Sequence, residues 1–302
     1  MRVVISGGTG FIGNALTEEL ISYGHEVFIL TRSPEKQNDS EKVHHIQWVK
    51  DGAKPEKELV NIDAFINLAG ESINSGRWTA KRKQRILESR IEATREMIRL
   101  VKIIQPHTFI HASAIGYYQP SKLITHTETS QDIANDFLAQ TVKRWEEEAS
   151  EAINLGVRTV YTRFGIILGK EDGALPRIAI PYKLFAGGTI GSGEQWASWI
   201  HLKDTVRAIR FTLETNDIQG PVNITAPSPV TMKELGQILA KVINRPHWFP
   251  TPSFVIKAVL GEMSTLVLEG QKVIPSVLMD HGFSFMYPSL EKALVNIYKN
   301  QD

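Results

Sequence analysis

Short apolar runs alternate with helix-period patterns along the first half of the chain. Strand-like runs fall at 2–6, 26–31, 44–49, 62–69, 108–113 and 157–163. Between them, apolar residues recur every three or four positions at 11–23, 79–104 and 132–155, which predicts amphipathic helices. Apolar-rich strands interleaved with helices imply a parallel sheet covered on both faces. Right-handed crossovers then give a doubly wound α/β sheet with its ligand crevice at the carboxyl ends of the strands. The 132–155 helix carries a readable seam of Leu138, Val142, Trp145, Ala149 and Ala152, while Ala139 and Lys143, one turn apart, lie on another face.

From about residue 170 the pattern changes. Residues 170–198 are rich in Gly and Pro; helices are predicted near 204–215 and 231–243, with a short strand at 221–225. Five prolines follow between 245 and 288. The expected organisation is a dinucleotide-binding domain over 1–169 and a smaller substrate lobe over 170–302, interleaved with the last strands of the sheet. Internal repeats and low-complexity linkers are absent from the sequence.

The most specific local signal is Val3-Val4-Ile5-Ser6-Gly7-Gly8-Thr9-Gly10-Phe11-Ile12-Gly13. Glycines spaced Gly7-x-x-Gly10-x-x-Gly13 end a strand and open a helix, the setting in which a glycine turn cradles a pyrophosphate. The second strand ends in Thr31-Arg32-Ser33 with no carboxylate before Glu35. An acidic residue at this point favours the 2′-hydroxyl of NAD; a planar arginine flanked by hydroxyls suits a 2′-phosphate. The expected cofactor is therefore NADP. Asn67-Leu68-Ala69-Gly70-Glu71 closes the fourth strand with small residues that let a cofactor pass close to backbone.

The chain has 302 residues, 42% apolar and 22% charged, with 34 Lys+Arg against 33 Asp+Glu. Near-neutrality gives no general attraction to nucleic acid or anionic membranes. The basic stretch from Arg77 to Arg90 alternates with Ile86 and Leu87, as a solvated helix face does; Arg82 and Arg90 share one side of it. The sequence has no cysteine, which excludes disulfides, thiolate nucleophiles and Cys-zinc sites. No set of His, Asp and Glu suggests a metal site, and His44 and His45 point to opposite faces of a strand. The apolar N-terminal run breaks at Gly7, so neither a signal peptide nor a membrane span is expected, and the cytoplasm is the expected location.

These motifs resemble the extended short-chain dehydrogenase/reductase superfamily, and more narrowly the epimerase-like group of short-chain dehydrogenase family 39U. Besides the glycine turn, the likeness is carried by Ser89-Arg90, Ser113-Ala114-Ile115-Gly116-Tyr117-Tyr118, Arg163–Gly169, Gly191-Ser192-Gly193, Trp199-Ile200-His201 and Glu269-Gly270-Gln271-Lys272-Val273-Ile274-Pro275. It implies an NADP-binding Rossmann domain with contacts at Gly7, Thr9, Gly10, Phe11, Ile12, Thr31, Arg32, Leu68, Ala69, Gly70, Arg90 and Ile166. It also implies catalysis by Ser, Tyr and Lys, the Tyr four residues before the Lys. Ser113 matches the Ser and Lys143 the Lys, but the Tyr position holds Ala139, which cannot transfer a proton.

Three readings follow from that departure. Tyr117 or Tyr118 replaces the missing acid; another group such as His201 or Glu71 does the proton work; or the protein holds NADP without turnover. The expected function is an NADP-dependent epimerase or oxidoreductase acting on a carbonyl or hydroxyl compound, nucleotide sugars among them. The alternative is a non-catalytic NADP-binding sensor or scaffold. Other residues carry structural expectations. Asp204 is expected to cap the helix after it, and Arg163, at the end of an apolar strand, needs a partner for its buried charge. A small-molecule substrate is the expected partner, with oligomeric state left open.

Overall fold

The computed structural model describes residues 1–36, 40–50 and 52–299. Seven strands form one parallel sheet: β1 (Arg2–Ser6), β2 (Glu26–Thr31), β3 (Val43–Gln47), β4 (Ala64–Asn67), β5 (Thr108–Ala114), β6 (Arg158–Phe164) and β7 (Gly220–Ile224). Their spatial order is β7-β6-β5-β4-β1-β2-β3. The order reverses at β1, so a crevice opens beside the carboxyl end of that strand. Every residue of β4, and all but the edges of β1 and β5, is buried. That double-sided burial is why these strands read as continuous apolar runs.

Helices cover both faces. On one face lie α1 (Phe11–Ser22) and, packed against it, α5 (Leu202–Glu214); on the other lie α2 (Ala80–Ile104) and α3 (Phe137–Ala149). A third core forms the smaller lobe from α4 (Leu175–Lys183), α6 (Met232–Val242) and α8 (Leu290–Lys299), with Trp199 fully buried among them. α7 (Ser253–Leu260) is apolar in sequence yet has no buried residue. Residues beyond 170 therefore serve two bodies: α5, β7 and the 277–285 segment join the doubly wound layer, and α4, α6 and α8 build the lobe.

The doubly wound fold expected from the sequence is the fold observed. α1, α2, β1 and β2 match the predicted spans to within a residue, and the 132–155 helix divides after Ala149 into α3 and a short turn, Glu151–Asn154. Several helices went unpredicted, α4 and α8 the longest of them. α4 lies in the Gly/Pro-rich stretch: Pro176 sits in its first turn, where no intrahelical amide is lost, and Pro181 lies inside it. α8 buries Leu290, Ala293, Leu294 and Ile297, a helical spacing that the sequence displays. Asp204 is not the cap of α5. His201 takes that place, its Nδ1 accepting from the Lys203 amide at 3.0 Å. Asp204 is instead buried one turn in and accepts the amides of Met286 and Tyr287 at 2.9 and 2.8 Å, tying α5 to the segment before α8.

The turn from β1 to α1 is packed tightly against backbone. Gly7 has φ +73°, and a Cβ there would lie 2.8 Å from the Leu68 carbonyl carbon. A Cβ on Gly13 would lie 2.3 Å from the Gly7 carbonyl oxygen. Backbone meets backbone at both points, so no side chain can yield. Gly13→Ala should destabilise the chain by about 1–3 kcal/mol, the usual range for overpacking, read as a fall in the urea midpoint at constant slope; an unchanged midpoint would contradict this contact.

Candidate functional site

A cleft of about 620 Å³ opens at the carboxyl ends of β1, β2 and β4. Gly7, Thr9, Gly10, Thr31, Arg32, Leu68, Ala69 and Gly70 all line it, so the glycine turn, the β2 end and the β4 end are brought together. Its floor is organised by Asn67, which ends β4. The Asn67 Oδ1 accepts from Ser6 Oγ at 2.6 Å and from the Ala69 amide at 3.3 Å, and its Nδ2 approaches Thr94 and His111. No side chain caps α1 at Gly10. The amides of its first turn are thus left to a ligand, where the helix dipole favours an anion. A dinucleotide fits this cradle: a Cβ at Gly7 would drive into the β4 exit, and one at Gly13 into the turn itself.

Four of the expected cofactor contacts, Phe11, Ile12, Arg90 and Ile166, are not among the residues lining this cleft, although the amides of Phe11 and Ile12 belong to the uncapped first turn of α1. Phe11 packs its ring edge against Gly169 and Gly173, where a Cβ would approach within 2.5 and 3.3 Å, so it joins the turn to the strand exit beyond β6. Ile12 packs on the sheet core. Arg90 donates to the Glu71 carbonyl at 2.9 Å and the Ile86 carbonyl at 3.0 Å, with its guanidinium 5.0 Å from the Trp145 ring centre. Burial draws its pKa down to about 10. Arg90 thereby holds the 70–71 loop in place, with Gly70 close against it. The far wall of the cleft comes from Arg85, Glu88, Ser89 and Glu92 on α2, of which Glu88 and Glu92 were not singled out in the sequence. Glu71 is paired with Arg82 and Arg85.

Beside this cleft, at the ends of β5 and β6, lies a second pocket of about 180 Å³. Ile166 lines it, as do Ala114, Leu138, Val142, Phe164 and Trp196. The α3 residues that reach it are Leu138 and Val142, four apart and both apolar. Ala139 is fully buried, and Lys143 is exposed, with its amine 3.9 Å from Glu147. The helix therefore places Lys143 away from both cavities.

Ser113 is 2% exposed, and its hydroxyl donates to Glu146 Oε1 at 2.5 Å. Glu146 in turn accepts two hydrogen bonds from Arg163, at 2.9 and 2.8 Å. Burial works against the Arg163 charge, but the bond to Glu146 outweighs it and holds the pKa above the ordinary arginine value. Tyr117 lies under the Arg163 guanidinium, 3.7 Å from ring centre to Cζ. Tyr118 is fully buried; its hydroxyl donates to Asn223 at 2.8 Å and accepts from Arg163 at 3.0 Å, and burial pushes its pKa up. Neither tyrosine lines the pocket. Nor does His201, which stacks on Tyr287 at 4.1 Å. The pocket's polar groups are instead Asp136, Ser198, Thr265, Glu269 and Gln271, of which the sequence motifs had marked only the last two. Among the described residues no group of three or more His, Asp or Glu could hold a metal ion, and no helix is long and apolar enough to cross a membrane.

With this geometry established, comparison with known proteins is direct. The model of the NAD dependent epimerase/dehydratase family matches residues 3–225. The chain belongs to that family. A domain of unknown function, DUF1731, matches residues 251–297, the segment carrying α7 and most of α8. The epimerase family protein YfhF of Bacillus subtilis is 49% identical over 296 residues, covering 97% of each chain. The human epimerase family protein SDR39U1, whose crystal structure was solved with NADPH, superposes with a TM-score of 0.87 at 34% identity, over 99% of this chain and 100% of that one. A nucleoside-diphosphate sugar epimerase from Corynebacterium glutamicum gives a TM-score of 0.77 at 28% identity, over 98% of this chain and 58% of that one. The resemblance to the extended short-chain dehydrogenase/reductase superfamily is thereby established for the whole chain.

Two predictions follow from the buried groups. Glu146→Ala leaves the Arg163 charge buried without its partner and should cost about 3–5 kcal/mol, measured by urea denaturation; a cost under about 1 kcal/mol would mean that the pair is solvated. The second concerns pH. Burial lowers the His201 pKa from 6.5 to about 4. The unfolded chain therefore binds a proton that the folded chain does not, between those two values. His201 stabilises the fold above pH 6.5, and that contribution is lost as pH falls toward about 4. His201→Asn keeps a capping side chain and should flatten the stability profile in this window by up to about 1.4 kcal/mol per pH unit; an unaltered slope would contradict the assignment.

Proposed function

We propose that this chain is an NADP-binding oxidoreductase of the epimerase type, acting on a carbonyl or hydroxyl compound held in the 180 Å³ pocket beside the cleft. The observation that carries the cofactor reading is the cleft at the β1 switch point. It combines an uncapped α1 start for the pyrophosphate with Arg32 and Thr31 at the β2 end, where the adenosine ribose of a dinucleotide belongs. The human relative solved with NADPH supports the same choice of cofactor. Bound there, NADP supplies hydride exchange. The chain's own part is to grip the phosphates with the Gly7–Gly13 turn, to neutralise the 2′-phosphate with Arg32, and to present Ile166, Leu138 and Val142 as a dry wall to the substrate.

A second reading keeps the cofactor and drops the turnover. It rests on one observation: the α3 residues reaching the pocket, Leu138 and Val142, carry no proton, and the Ser113 hydroxyl is committed to Glu146. In that case the protein reports NADPH rather than using it. Screening carbonyl compounds for NADPH oxidation separates the two readings.

The cofactor proposal has its own test. By calorimetry NADPH should bind much more tightly than NADH. Arg32→Ala should weaken NADPH by about 10- to 100-fold, the worth of a charge-assisted hydrogen-bond pair, and leave NADH nearly unchanged. Equal affinities of the unaltered protein for the two cofactors would overturn the proposal.

A further inference from the structure

The pocket beside the cleft has a chemistry that selects its occupant. Its volume, about 180 Å³, is below the roughly 300–1,000 Å³ typical of sites for larger organic ligands. Ile73, Leu138, Val142, Phe164, Trp196 and Leu266 make most of its wall apolar. None of the residues lining it is Lys or Arg.

Four nearby cations are already engaged. Arg163 is buried against Glu146. Lys272 lies over the Trp196 ring, 4.5 Å from its centre. Lys122 pairs with Glu194, and Arg77 donates to the Ala258 and Val259 carbonyls at the end of α7.

The starts of the two long helices bordering the pocket, α3 and α6, are closed as well. Asp136 accepts from the Ala139 amide at 2.8 Å and so caps α3. Thr231 and Glu234 form a reciprocal capping box at the start of α6. A diphosphate needs cations or free helix-terminal amides to replace its water. Here these four cations and the starts of α3 and α6 are used internally, and the lining adds the carboxylates Asp136 and Glu269, which repel an anion. Glu269 has no side-chain partner among the described residues.

We infer that this pocket takes a small, uncharged, largely apolar carbonyl compound or alcohol, and that it excludes nucleoside-diphosphate sugars. The inference rests on the reading of the neighbouring cleft as the cofactor site, which makes this pocket the substrate side. Apolar area removed from water supplies the binding energy, and the ring of Trp196 forms one flat wall. The oxygen of the guest has the rim for polar company, where Glu269, Gln271 and Thr265 gather.

The test uses the full chain, with and without saturating NADPH, and two probes: benzylacetone and UDP-glucose. Calorimetry and ligand-observed NMR should register benzylacetone binding that UDP-glucose does not displace. Leu138→Trp fills the cavity and should weaken benzylacetone at least about tenfold while leaving NADPH affinity within about twofold; Ile73→Trp serves the same end from the opposite wall. Displacement of benzylacetone by UDP-glucose would overturn the inference. So would failure of benzylacetone to bind a protein that still binds NADPH, or indifference of its binding to both tryptophan substitutions. Benzylacetone binding without any NADPH binding would instead remove the cofactor reading and leave the pocket's selectivity standing.

Discussion

The buried pair of Arg163 and Glu146 is the interaction on which the site depends. Arg163 ends β6 and Glu146 stands on α3, so the pair locks the helix to the sheet at the floor of the pocket. Its influence spreads by hydrogen bonds. Glu146 takes the Ser113 hydroxyl from β5, and Arg163 steadies Tyr118, which reaches Asn223 on β7. Asn223 in turn donates to the Ile274 carbonyl in the segment leading to the C-terminal helix. Three sheet strands, α3 and the lobe are thus referred to one ion pair. Such a pair is weak evidence of net stability, since two charges had to leave water, but it makes any other arrangement of these elements expensive. Specificity of geometry is what a ligand pocket requires.

The same pair decides what Ser113 can do. A hydroxyl has one proton, and here it is given to a carboxylate that is itself held by Arg163. The polarising role that the superfamily resemblance assigns to this serine would require Glu146 to release it. The phenol of Tyr118 is likewise spent on Asn223. Polar groups that lie close in sequence to the expected site have become structural members of its floor. The groups facing the cavity came from farther away, from α3's first turn and from the 265–271 segment.

Much of this was legible in the sequence because it is periodic or local. The alternation of strand and helix gave the doubly wound layer, and the glycine spacing gave the turn whose backbone contacts at Gly7 and Gly13 admit no Cβ. The helical seam of Leu138, Val142 and Trp145 was also legible, and it turned out to face the pocket and the core. The catalytic lysine position was harder, since motif matching places a residue along the chain and not around a helix axis. One position along a helix is a rotation of about 100°, enough to carry Lys143 to solvent while Val142 meets the pocket. The lobe was less legible again. α4 has one proline in its first turn and another inside it, and α7 carries an apolar pattern that the fold leaves uncovered. Long-range partners such as Asp204 with the Met286 and Tyr287 amides follow from packing that no local pattern reports.

The two cavities divide the electrostatics of the molecule between them. The larger one gathers an uncapped helix start and Arg32 at one side, facing Glu71, Glu88 and Glu92 at the other, so its anion-favouring part is the glycine turn and the β2 end. The smaller one is largely apolar, bordered by the capped starts of α3 and α6, and carries only carboxylates among its charged lining residues. A single anionic ligand spanning both would be attracted at one end and repelled at the other. A dinucleotide in the first and an uncharged guest in the second meet no such conflict. The line between the two runs along the strand order, with β1, β2 and β4 on the anion-binding side and β5 and β6 on the apolar side. The sheet that positions both cavities therefore also keeps their chemistries apart.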